Sequence, residues 1–163
     1  MRSPFAAMII CMVLAFPASA GELTGKPRIV DGDSIDLVGP GFGTRRIDLA
    51  GIHAPAPGQT CFRGNGAVYP CGQMATFALA GIVETQWVTC RETGPGENGA
   101  AFAVCTIGPY DIGAEMVRRG WAVADRRASD TADAYVSLEN AARAARLGLW
   151  DGTFELPGSW PGN

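Results

Sequence analysis

Two sets of side chains in this chain could do chemistry. The first is four cysteines, Cys61, Cys71, Cys90 and Cys105; the second is a scatter of aspartates on either side of the single histidine, His53. The cysteines could hold a metal or bond to one another. Their spacings match no metal motif, with no Cys-x-x-Cys and only one histidine in the chain, so thiol ligation is not expected. Four cysteines in an exported chain read instead as two disulfides, with three pairings open. Among the aspartates, Asp31-Gly32-Asp33 is a turn or bulge signal inside a strand-like run. Asp33 shares the parity of the apolar Ile35 and Leu37, so its side chain starts inward, whereas Asp36 points the other way. Asp31, Asp36, Glu115 and Glu139 therefore read as turn and surface charges, not paired acid–base groups. Arg118-Arg119 and Arg126-Arg127 read as solvated pairs, not a nucleic-acid footprint.

The elements that would position these groups begin after residue 20. Arg2, an apolar run from Phe5 to Phe16 and Ala18-Ser19-Ala20 form the pattern of a cleaved signal peptide. Cys11 follows Ile10, where a lipoprotein signal needs a small residue. Residues 1–20 are thus expected to be removed, leaving 21–163 as one secreted or periplasmic domain, unanchored to a membrane, with a Gly- and Pro-rich tail from about 151. Loss of Arg2 leaves 12 basic residues against 16 acidic ones, a net charge of about −4. Proteins that grip phosphates usually carry a basic surface, so nucleic-acid binding should be weak if it occurs.

Arg28–Val38 alternates as a strand, and Thr44–Ile52 reads as a second one after a glycine-rich turn. Gln73–Val83 carries Met74, Phe77, Ala78 and Ile82 at helical spacing. Gln86–Glu92 and Ala101–Ile107 are the arms of a hairpin. They place Cys90 and Cys105 opposite each other and leave Cys61 and Cys71 to pin the preceding loop. Asp111 is placed to cap a helix that Gly120 closes. A last helix starts near Ser129–Thr131, with Tyr135, Leu138, Ala142, Ala145 and Leu149 as its core stripe.

Several segments, in this order, resemble the staphylococcal nuclease (thermonuclease) family: Arg28-Ile-Val-Asp-Gly-Asp-Ser-Ile-Asp-Leu37, Ile47-Asp-Leu-Ala-Gly-Ile-His-Ala-Pro55, Gln59-Thr-Cys61, Cys71-Gly-Gln-Met-Ala75, Asp111-Ile-Gly-Ala-Glu-Met-Val-Arg-Arg-Gly-Trp-Ala122 and Glu139-x-x-Ala-Arg-x-x-x-Leu-Gly-Leu-Trp150. The resemblance implies an α+β, mainly β fold: a five-stranded OB-type barrel with three helices and a site near the first strands. In that family carboxylates hold Ca²⁺, a glutamate activates water, and two arginines neutralise the phosphate. Asp33 falls on the first metal carboxylate. The rest of the pattern departs from it. Asp48 stands where an arginine is expected, His53 where the second metal carboxylate is expected, Ala56 in place of the glutamate and Ala100 in place of the second arginine.

Arg46, on the same strand face as Asp48, is a possible stand-in for the lost arginine, with Asp48 its expected partner. Loss of one such group costs roughly 10²–10³ in rate, so four losses point to a protein without nuclease activity. The expectation is an exported binding or accessory module, with an oligosaccharide or a protein as its partner. Exopolysaccharide (succinoglycan-type) biosynthesis is the setting the resemblance suggests. Two alternatives are an active metal-dependent phosphodiesterase with relocated residues, and a Zn²⁺, Mn²⁺ or Fe²⁺ site built from Asp33, Asp48 and His53. Trp87, Trp121, Trp150 and Trp160 are expected mostly in the core or at the barrel rim.

Overall fold

The computed structural model describes residues 21–128 and 132–155. The proposed signal peptide, the start of the last helix at Ser129–Thr131, and most of the Gly/Pro-rich tail with Trp160 lie outside the described residues.

Five strands build the body: β1 Glu22–Ile29, β2 Ser34–Gly39, β3 Gly43–Leu49, β4 Val88–Pro95 and β5 Ala101–Ile107. They pair antiparallel in the order β3-β2-β1-β4-β5. A parallel pairing of β3 with β5, Ile47 opposite Ala101 and Leu49 opposite Ala103, closes the sheet into a five-stranded mixed barrel. Closure removes the exposed edges an open sheet would leave. Alternate residues fill the inside: Ile35 and Leu37 from β2 and Ile47 and Leu49 from β3 are all buried. Three helices, α1 Cys71–Val83, α2 Ile112–Arg118 and α3 Ala132–Ala144, lie against the barrel. Leu79 and Val83 of α1 and Ile112, Met116 and Val117 of α2 join the same core.

The expected strand 28–38 is in fact the meeting of two strands. β1 ends at Ile29 and β2 begins at Ser34, and the two pair with Ile29 opposite Ile35. Asp31-Gly32-Asp33 is the turn of that hairpin, held by the Val30 and Asp31 amides donating to the Ser34 carbonyl at 3.0 and 3.3 Å. The strand expected over 44–52 stops at Leu49. Gly51, with φ 79°, turns the chain, and Ile52–His53 then pairs with Val123–Ala124.

Both disulfides join the partners read from the sequence, Cys61–Cys71 and Cys90–Cys105. Cys90 and Cys105 are register partners across β4 and β5 with Cα atoms 4.1 Å apart. Asp111 Oδ1 accepts the Ala114 amide at 3.0 Å, which caps α2. Its Oδ2 accepts the Tyr135 hydroxyl at 2.7 Å, and burial together with Asp111 pushes the Tyr135 phenol well up. Gly120, with φ 76°, ends α2, where an added Cβ would lie 2.2 Å from the Leu147 carbonyl oxygen. The stripe expected on the last helix breaks after Ala142. Ala145 is exposed beyond the end of α3, and Leu149 reaches a second small core from the short 3₁₀ turn Gly148–Asp151.

Candidate functional site

Turn residues of the β1–β2 hairpin, the outward face of β3 and the segment 125–128 after Val123–Ala124 surround a groove of about 980 Å³. Asp33, Asp48, His53, Arg46 and Ala100 all line it; Ala56 does not. Ala56 sits where α1 packs against its turn, and an added Cβ on Gly72 would lie 1.7 Å from the Ala56 carbonyl oxygen. The place read as that of a water-activating glutamate thus holds a methyl group that does not face the groove.

Asp33 is held from both sides. Its amide donates to Asp31 Oδ1 at 3.1 Å, and its Oδ2 accepts the Ala54 amide at 2.6 Å. Burial pushes its carboxyl up to about 8; the Ala54 hydrogen bond opposes the rise, and the negative charges of Asp31 and Asp48 add to it. Burial thus favours the protonated form of Asp33.

Arg46 does not pair with Asp48 as expected. Its Nε donates to Asp36 Oδ1 at 2.6 Å and its Nη2 to Oδ2 at 3.3 Å. Asp36 is its register partner across β2 and β3, so the side chains start from neighbouring positions on the sheet. Asp48 and Asp31 contribute only through longer-range charge, and the guanidinium is held above its usual range chiefly by Asp36. Asp36 is correspondingly held below the carboxylate range, first by its hydrogen bond from Arg46.

His53 has a partner that the sequence did not suggest. Its Nε2, buried and without a hydrogen bond, lies 3.5 Å from Asp125 Oδ2. Burial raises the Asp125 carboxyl, but the Arg127 amide and guanidinium and the neighbouring His53 ring outweigh it and hold the group low. The expected convergence of Asp33, Asp48 and His53 on one ion is not formed. Among the described residues no three His, Cys, Asp or Glu side chains are grouped to hold a metal ion. Calcium needs six to eight hard oxygen donors, and an imidazole stands in the groove at His53, so this donor set suits it poorly.

Glu139, expected at the surface, is 1% exposed. It accepts the Ala124 amide at 2.8 Å and Arg126 Nη2 at 2.7 Å, with Arg143 3.5 Å away. It ties α3 to the segment that carries Asp125. The clue was its place in the helix, four residues from Tyr135 and three from Ala142 on the buried face. Trp121 packs partly buried on the core and Trp150 stacks edge-on with Phe154 under Arg143, as rim positions require. Trp87 is an exception, 54% exposed beside Lys26. Phe102, not singled out from the sequence, is 39% exposed on β5 and lines the groove.

The family model for the staphylococcal nuclease homologue matches residues 46–152. The chain is 33% identical over 156 residues to a protein of Escherichia coli named Protein ParB, covering 89% of this chain and 81% of that one. It is 30% identical over 177 residues to a Shigella flexneri protein named Micrococcal nuclease, covering 98% of this chain and 95% of that one.

Proposed function

The chain belongs to the staphylococcal nuclease homologue family, and on that premise we propose that it is an exported barrel that binds a ligand in the family groove without hydrolysing phosphodiesters. One observation carries this reading: the groove offers a phosphate almost no uncommitted positive charge. Asp31, Asp48 and Asp125 line it as carboxylates beside Asp33, whose burial favours the neutral acid, against two guanidiniums, Arg46 engaged by Asp36 and Arg127 by Asp125. An oxyanion-stabilising site needs donors aimed at the developing charge, and a water-activating base within hydrogen-bond reach. Here the first arginine position is an aspartate, and the base position is a methyl outside the groove.

Export to the periplasm or beyond is supported by the leader pattern at 1–20 and by two disulfides, which persist in oxidising compartments. No helix among the described residues is long and apolar enough to cross a membrane. OB-type barrels bind oligonucleotides and oligosaccharides on one face, so an accessory role in exopolysaccharide production suits a barrel with a vacated nuclease site.

A second reading, a metal-dependent phosphodiesterase with relocated residues, is favoured by the name of the Shigella flexneri relative and by Arg46 standing in the groove. Incubation of the purified chain with single- and double-stranded DNA and with RNA, in turn with Ca²⁺, Mn²⁺ and Zn²⁺, separates the two. No cleavage above buffer is expected. Cleavage that disappears in Asp33→Ala would establish the second reading.

A further inference from the structure

We propose that the groove takes an oligosaccharide of uncharged hexoses, with Phe102 as the platform on which a sugar ring stacks; this rests on the reading that the groove binds and does not cut. The ring of Phe102 stays 39% exposed within the groove although its strand lies in a closed barrel. Its neighbours leave it uncovered. Across β4 its register partner is Gly94, whose missing side chain would have met nothing within 4 Å. A bulge between Glu92 and Gly94 displaces the strand at the same point. Across β3 its partner is Asp48. An aromatic face beside a carboxylate suits a pyranose: the C–H face of the sugar packs on the ring, and hydroxyl groups at the edge donate to carboxylate oxygens. Thr93 and Asn98 line the same stretch and add neutral hydrogen-bonding groups.

Charge selects among sugars. Both groove guanidiniums are held by aspartates, while the carboxylates outnumber them, so a uronate or phosphate chain meets repulsion and a neutral chain does not. The volume of about 980 Å³ lies at the upper end for small-ligand sites, enough for more than one ring.

Calorimetry on the full exported chain with cellohexaose, laminarihexaose, hexagalacturonate and a single-stranded DNA 12-mer tests the proposal. A neutral hexaose should bind. Phe102→Ala should weaken it by about tenfold, as loss of one stacking ring does. Phe102→Tyr, which keeps the ring, should retain it, and Tyr110→Ala, exposed outside the groove, should change nothing. Binding of neither neutral hexaose, equal affinity for hexagalacturonate, or an unchanged Phe102→Ala affinity in a folded variant would overturn it. DNA cleavage in the digestion assay sinks the non-hydrolytic reading itself, whereas silence in both assays sinks only the sugar.

Discussion

Glu139 on α3 accepts the backbone amide of Ala124 at 2.8 Å, from the two-residue strand that pairs with Ile52–His53. A single buried carboxylate therefore fixes the strand beside His53 and the groove-lining segment that follows it. Glu139→Ala would leave the Ala124 amide and the Arg126 guanidinium without that acceptor. A buried group stripped of its partner costs more than the bond's net worth, so the loss should be about 2–4 kcal/mol. Glu139→Gln keeps one acceptor oxygen and should cost less. Urea midpoints of both variants check the order, and equal midpoints for wild type and Glu139→Ala would show the contact to be idle.

The Cys90–Cys105 bond closes a segment of sequence separation 15 across two core strands, and Cys61–Cys71 one of 10 that anchors the start of α1. Loop closure on this scale is worth about 3 kcal/mol each, chiefly by restricting the unfolded chain. Cys90→Ala/Cys105→Ala and Cys61→Ala/Cys71→Ala should each lower Tm by roughly 5–12 °C for a domain of this size. Scanning calorimetry gives the answer directly. A shift under 2 °C in either pair would mean the unfolded chain is already restrained there.

Asp33 links stability to pH in the direction opposite to an ordinary surface aspartate. Its folded carboxyl stands at about 8 against 3.8 for the unconstrained group, because burial and the charges of Asp31 and Asp48 disfavour ionisation. The folded state thus holds a proton that the unfolded chain gives up above pH 4. The stabilisation is complete below that pH and is lost as pH rises towards 8, by at most about 1.4 kcal/mol per pH unit. Asp33→Asn keeps an acceptor for the Ala54 amide and removes the ionisation. In chelator-treated samples its advantage over wild type should widen from pH 5 to pH 8. A constant difference across that range would contradict the burial argument.

Much of this architecture was legible because it is written in apolar period. Ile35, Leu37, Ile47 and Leu49 alternate inward, and the hairpin arms put Cys90 opposite Cys105. β1 was not legible, since Gly25 and Pro27 interrupt any alternation and Thr24 is the one β-branched residue of Thr24-Gly25-Lys26-Pro27. Gly25 is there for a contact that no pattern reveals: an added Cβ would lie 2.5 Å from the Val38 carbonyl oxygen across the hairpin. At the site the residue identities were readable, but their pairings were not. Arg46 and Asp48 share a strand face, yet Arg46 turns to Asp36 because β2 sets that aspartate directly beside it. Likewise His53 meets Asp125 only through a two-residue strand pairing between segments far apart in the chain, which no local spacing encodes.

If the groove repels phosphates because of its charge, changing that charge should change the repulsion. Asp48→Arg replaces an anion with a cation at the β3 position facing the groove, next to Ser34 and Phe102 in register. The swing of two charges acts on any phosphate brought near Asp33. Affinity for a single-stranded DNA 12-mer at low salt should rise by about tenfold, and the slope of log K against log salt should steepen by about 0.7 for one added phosphate contact. Asp36→Asn, which releases Arg46 from its partner, should move both quantities the same way by a smaller amount. Catalysis should not return in either variant, because neither supplies a base where Ala56 stands outside the groove. Fluorescence anisotropy across a salt series measures both quantities. If Asp48→Arg left the affinity and its slope unchanged, the shape of the groove and not its charge would be what keeps phosphates out.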